Sequence, residues 1–114
     1  MGKGKHLGEF EEIVLLAVAG LAGAAHGAAI HEQILDATGR DVSIPSVYVT
    51  LSRLQRKGFV TASVDLDGER RGGRPRKVFT ITDVAVRELS ASRLAHARLW
   101  AGLDFDPVAS GEAS

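Results

Sequence analysis

Five cations fall within eight residues at Arg70-Arg71-Gly72-Gly73-Arg74-Pro75-Arg76-Lys77. On either side lies a short stretch in which apolar and polar residues alternate, Phe59–Val64 before and Lys77–Ile81 after. Alternation with period two predicts strands. The intervening segment from Asp65 to Pro75 holds three glycines and a proline, which predicts a loop between them. The outcome is a two-stranded hairpin with a cationic tip. Its glycines let the backbone approach a partner closely, and that charge points to a polyanion.

Three helical patterns precede the hairpin. Leu7–Leu21 repeats apolar residues at Leu7, Phe10, Ile13, Val14, Ala17 and Leu21, with Glu9, Glu11 and Glu12 in its first turn. Beyond Glu12 it is apolar almost all round, which predicts burial in the domain or in a dimer seam. After the small residues Ala22–Gly27, the stretch Ala28–Thr38 predicts a second helix that buries Ile30, Ile34 and Leu35 and stops at Gly39. Ser43-Ile44-Pro45-Ser46 is a helix start, with Ser43 as cap and proline in the first turn. Val47, Leu51 and Leu54 then mark an inward face, and Gly58 closes the helix behind Arg56-Lys57. Thr82-Asp83 caps a last helix running to about Leu103.

The fold class is therefore mainly α with a two-stranded β wing: a winged helix-turn-helix plus a C-terminal dimerisation helix. Residues 1–81 form the winged unit, 82–105 the dimerisation helix and 106–114 a flexible tail. The 114 residues have no net charge, but the charge is unevenly placed. Nine cations face four carboxylates over residues 40–77, against two and five before that block and three and five after it. A basic centre between acidic flanks suits a nucleic-acid partner better than the total suggests. The chain has no cysteine, which excludes disulfides, thiolate metal sites and cysteine nucleophiles and fits a cytoplasmic location. The apolar run Ile13–Ala25 is too short to span a bilayer.

A major groove admits one α-helix and is read from near that helix's N-terminal end. The third helix supplies Ser43, Ser46 and Thr50 as hydroxyl donors, Val49 for a thymine methyl, Tyr48 for longer reach, and Arg53 and Arg56 for phosphate or guanine. At the wing, Arg74 suits a narrow minor groove, where the negative potential is enhanced. Arg71, Arg76 and Lys77 would neutralise phosphates, with Gly72 and Gly73 at the tip. No motif joins the serines and histidines into a catalytic set, so no enzyme and no cofactor are expected. His26 and His31 are five apart, off the spacing of a helical metal pair.

With these residues in view, the chain resembles the PadR-type transcriptional regulators over residues 7–103. The resemblance rests on Leu7-Gly8-Glu9-Phe10, on Val47-Tyr48-Val49-Thr50-Leu51-Ser52-Arg53-Leu54, on Arg56-Lys57-Gly58-Phe59-Val60, on Gly72-Gly73-Arg74, and on Thr80-Ile81-Thr82. It implies a dimeric, repressor-like protein on a pseudo-palindromic operator, with the third helix in the major groove and the wing against the minor groove. It makes Tyr48 the recognition-helix tyrosine. Where many members carry an aromatic pair after the wing lysine, this chain has Val78-Phe79.

The last helix places Val86, Leu89, His96, Trp100 and Leu103 on one face with Leu99 beside them. Such a stripe needs cover. The first helix of a second subunit is the expected partner, giving a homodimer interface of Leu7, Phe10, Val14, Leu89, His96, Leu99, Trp100 and Leu103. Trp100 and His96 are also candidate ligand-binding residues for a small aromatic effector whose binding releases a repressor. Two alternatives stay open: a winged-helix module that binds protein, and a ligand-binding dimer without DNA binding.

Overall fold

The computed structural model describes residues 7–66 and 75–103. The elements run α1 (Glu9–Leu21), α2 (Gly27–Thr38), α3 (Ile44–Arg56), β1 (Val60–Asp65), β2 (Arg76–Ile81) and α4 (Asp83–Ala101). This is the winged helix-turn-helix expected from the sequence, mainly helical with a two-stranded antiparallel wing and a long terminal helix.

Local chemistry sets most of the boundaries. Ser43 caps α3 by accepting from Ser46 N at 3.1 Å, and Thr82 caps α4 by accepting from Ala85 N at 3.3 Å. The end of α3 is a paired turn: Phe59 N donates to Leu54 O at 2.9 Å and Gly58 N to Gln55 O at 3.1 Å. That pattern requires a left-handed residue, and Gly58 provides it with φ 82°. It also turns Phe59 inward beside Leu54, where both are fully buried. In α1 the same task falls to Ala22, whose φ of 41° is the one positive value outside glycine among the described residues.

The core lies between the three helices and the root of the wing. Val14, Leu15, Ala17 and Val18 of α1 meet Ile30 and Ile34 of α2, Val47, Leu51 and Leu54 of α3, and Phe59, Val60 and Phe79 of the wing. Val14 is 0% exposed, so it belongs to this core and not to a seam between subunits. Helix α1 is apolar nearly all round, and which apolar residues face outward depends on how α2 and α3 pack against it. Leu35, expected inside, is exposed, whereas Leu7 and Phe10 pack against the core while keeping some surface.

The strands pair from Val60 with Ile81 to Asp65 with Arg76. One further bond, Phe79 N to Ala25 O at 2.9 Å, joins the wing to the α1–α2 connection. Only Thr82 separates β2 from α4, and it is fixed to the α3–β1 corner: Thr82 N donates to Phe59 O at 3.1 Å and its hydroxyl to Gly58 O at 2.8 Å. Helix α4 buries Ala85 and packs Val84 and Leu89 against the core. From Arg93 onward its residues are exposed, including Leu94, Leu99 at 73% and Trp100 at 51%. The helix ends at Ala101, so Leu103 lies past the cap at Gly102. The expected tail at 106–114 lies outside the described residues, among which no helix is long and apolar enough to cross a membrane.

Candidate nucleic-acid interface

Helix α3 buries Val47, Leu51 and Leu54 and so turns Ser46, Tyr48, Val49, Ser52, Arg53 and Arg56 outward. Val49 is 58% exposed. Thr50 is different: at 4% exposed it sits on the inward side, between Val47 and Leu54 in the helical cycle. A residue three after one core position and four before another shares their face, so Thr50 offers little of its surface to a partner. The hydroxyls of Ser43 and Ser46 lie 2.6 Å apart, so one proton between them is already engaged. The remaining lone pairs and the second proton are open to an incoming acceptor or donor.

In front of this helix start lies an open groove of about 590 Å³, lined by Phe10, Arg40, Val42, Ser43, Pro45, Ser46, Val49 and Thr50. Arg40 stands over the Phe10 ring, its guanidinium carbon 5.7 Å from the centroid, and reaches Glu9 Oε1 at 3.3 Å. Arg40 is one of the nine cations of the basic block. Its place beside α3 follows only from packing α1 against the α2–α3 connection.

Tyr48 lies across the first turn of α2. A Cβ built on Gly27 would fall 2.6 Å from Tyr48 Cε2 and closer still to Cζ and the phenol oxygen. The adjacent residue, His26, faces the wing: Arg76 Nη1 stands 3.2 Å from His26 Nε2, while His26 Nδ1 caps α2 by accepting from Ala29 N at 3.4 Å. Both partners donate, and a neutral imidazole has one accepting nitrogen, so the ring serves one of them at a time. Arg76 also lies 3.9 Å from Asp65 across the strand pair. Consecutive residues at the start of α2, His26 and Gly27, therefore meet the wing and α3.

Lys77 is exposed next to Arg76. The tip residues Arg71, Gly72, Gly73 and Arg74 lie outside the described residues. His26 and His31, set aside as a metal pair, have separate partners: His31 Nε2 lies 3.3 Å from Asp41 Oδ1. No group of metal-binding side chains occurs among the described residues. His96 is exposed, and its Nδ1 bonds Ser92 O within its own helix at 2.8 Å.

Among the described residues, the one clearly perturbed titration lies behind this candidate interface. Glu11 is buried, which raises its pKa, but it accepts from Gly8 N at 2.9 Å and from Lys57 Nζ at 2.9 and 3.0 Å. With the fields of Lys57 and Arg53 these bonds prevail and hold the carboxyl below its ordinary value. The ion pair ties the start of α1 to the end of α3.

The profile of the transcriptional regulator PadR-like family matches residues 15–91. None of the curated proteins is a significant match to the sequence. Among solved structures, a PadR-like transcriptional regulator from Bacillus cereus superposes with a TM-score of 0.66 at 18% identity, covering 82% of this chain and 85% of that one. A PadR family transcriptional regulator from Eggerthella lenta gives 0.62 at 25% identity, over 82% and 81%. Bacillus subtilis PadR, solved in complex with operator DNA, gives 0.61 at 21% identity, over 73% of this chain and 45% of that one.

Proposed function

Because the chain belongs to the PadR-like family of transcriptional regulators, a family of regulators and not of enzymes, we propose that it acts as a dimer on a pseudo-palindromic operator. It represses from that site and is released by a small effector. The observation that carries the DNA-binding part is the convergence of Tyr48 and Arg76 on consecutive residues, Gly27 and His26, with the polar face of α3 exposed beside them. Helix α3 enters the major groove by its N-terminal half, and Ser43, Ser46, Tyr48, Val49 and Arg53 contact bases or phosphates. The wing, through Arg71, Arg74, Arg76 and Lys77 around Gly72 and Gly73, follows the adjoining backbone and minor groove. Bacillus subtilis PadR, which shares the fold, was crystallised on operator DNA, and this supports the reading.

The dimer rests on α4. Leu99, Trp100 and Leu103 are exposed apolar residues at the end of α4, which favours a second copy of the chain as their cover. Leu7, Phe10 and Leu89 keep enough surface to extend that interface, whereas Val14 does not. Trp100 and His96 are then placed to form one wall of an effector site.

The test is selection from a randomised duplex pool. The chain should enrich a sequence with two inverted half-sites about one helical turn apart, as dimeric helix-turn-helix proteins require. Recovery of no sequence, or of a single unrepeated half-site, would remove the proposal.

A further inference from the structure

We propose that Gly27 is a positioning residue for DNA recognition, its missing side chain forming the seat in which Tyr48 is held. This rests on the DNA-binding role assigned above. Glycine is usually explained by backbone conformation, and here that explanation fails. The left-handed glycines among the described residues are Gly23, Gly39 and Gly58, and Gly27 is not one of them. It occupies the first position of α2, with ordinary helical neighbours, where alanine is the better helix former. What excludes a side chain is space, and the atoms that fill the space are the far end of the Tyr48 ring.

That ring is partly exposed, so it is not there to complete the core. Its body lies on the α2 backbone while its outer surface remains available to a ligand. The seat is also fixed relative to the wing. Ala25 O accepts from Phe79 N at 2.9 Å, and His26 Nε2 stands 3.2 Å from Arg76 Nη1. Residues 25, 26 and 27 therefore meet in turn the wing backbone, a wing cation and the recognition-helix tyrosine. A side chain at position 27 would displace Tyr48 while leaving the wing contacts where they are, so the two halves of the reading surface would lose their mutual register.

The experiment is a double-mutant cycle of Gly27→Ala and Tyr48→Ala. Its probe is the fluorescein-labelled duplex that the wild-type chain enriches from a random pool. Affinity is read by anisotropy and stability by urea unfolding. Gly27→Ala should unfold at the wild-type urea concentration or above it, yet bind about tenfold more weakly, the scale of one misplaced base contact. In the Tyr48→Ala background the same substitution should change affinity by less than about twofold, because the displaced group is gone. Gly27→Ala binding like wild type, or losing as much without Tyr48 as with it, would overturn the positioning role alone. A wild-type chain that enriches no duplex would overturn the DNA-binding role and this one with it. If Gly27→Ala does not fold, the double variant carries the test. A folded double variant with the affinity of Tyr48→Ala supports the seat, and an unfolded one refutes it.

Discussion

Lys57 Nζ donates to both carboxylate oxygens of Glu11, at 2.9 and 3.0 Å, and so fastens the end of α3 to the first turn of α1. The pair is largely shielded from solvent, with the Glu11 side chain 8% exposed and that of Lys57 21%. Removing one partner from such a pair leaves a charge without its counterpart, which costs more than the intact pair contributes.

The Glu11 carboxyl titrates below its ordinary value of 4.5 in the folded chain. The stabilisation linked to that shift is thus fully present above the unfolded pKa and is lost as pH falls through the folded one. Unfolding free energy should drop between neutral pH and the region below 4.5. Glu11→Gln should lose about 1–3 kcal/mol at neutral pH, the scale of a hydrogen bond to a charged group, and should flatten the acid limb. Urea unfolding at a series of pH values measures both, and an unchanged acid limb in the variant would assign it to other groups.

Ala22 holds a left-handed conformation at the end of α1 without the freedom of glycine. Replacing it should relieve that strain, so Ala22→Gly is expected to raise stability by about 0.5–1 kcal/mol. The midpoint of chemical denaturation reports this directly. A loss of stability would mean that the methyl group contributes more by contact than the backbone conformation costs.

Arg53 is exposed on the outward side of α3. If it neutralises a phosphate, Arg53→Ala should weaken binding to every duplex in similar proportion. It should also reduce the slope of log affinity against log salt by about 0.9. If it reads guanine instead, the loss should concentrate on one base position with a smaller change in slope. Equal affinity and slope in wild type and variant would take Arg53 out of the interface.

Leu99 projects from α4 into solvent. In a monomer Leu99→Glu should be nearly neutral, within about 0.5 kcal/mol as for other surface changes. In a dimer covered through α4 it places a charge in an apolar seam. Sedimentation at micromolar concentration should then show two chains per particle for wild type and a monomer for the variant. A wild-type particle that is already monomeric and folded would rule out the seam.

Sequence carries those parts of this fold that depend on neighbours a few positions apart. Ser43, Gly58 and Thr82 are legible as caps because their partners lie within one helical turn, and the strand pair is legible from its alternation. Thr50 could be misplaced because it carries a hydroxyl on a helix whose outward face is also polar; burial, not residue type, separates the two. Val14 could be misplaced because α1 is apolar on nearly every side. The contacts that shape the candidate interface are not local at all: His26 and Arg76 are 50 residues apart, and Glu11 and Lys57 are 46. Nothing in Gly27 or Tyr48 alone marks them as a pair.

Thr82 bonds the α3–β1 corner by both its amide and its hydroxyl, and it is the sole residue between β2 and α4. There is no slack in that connection. In a dimer joined through α4, the terminal helix works as a rigid boom, and its tilt sets how far apart two recognition helices stand. A small molecule that changed that tilt by a few degrees would move them out of step with the helical repeat of DNA, without touching a single contact residue.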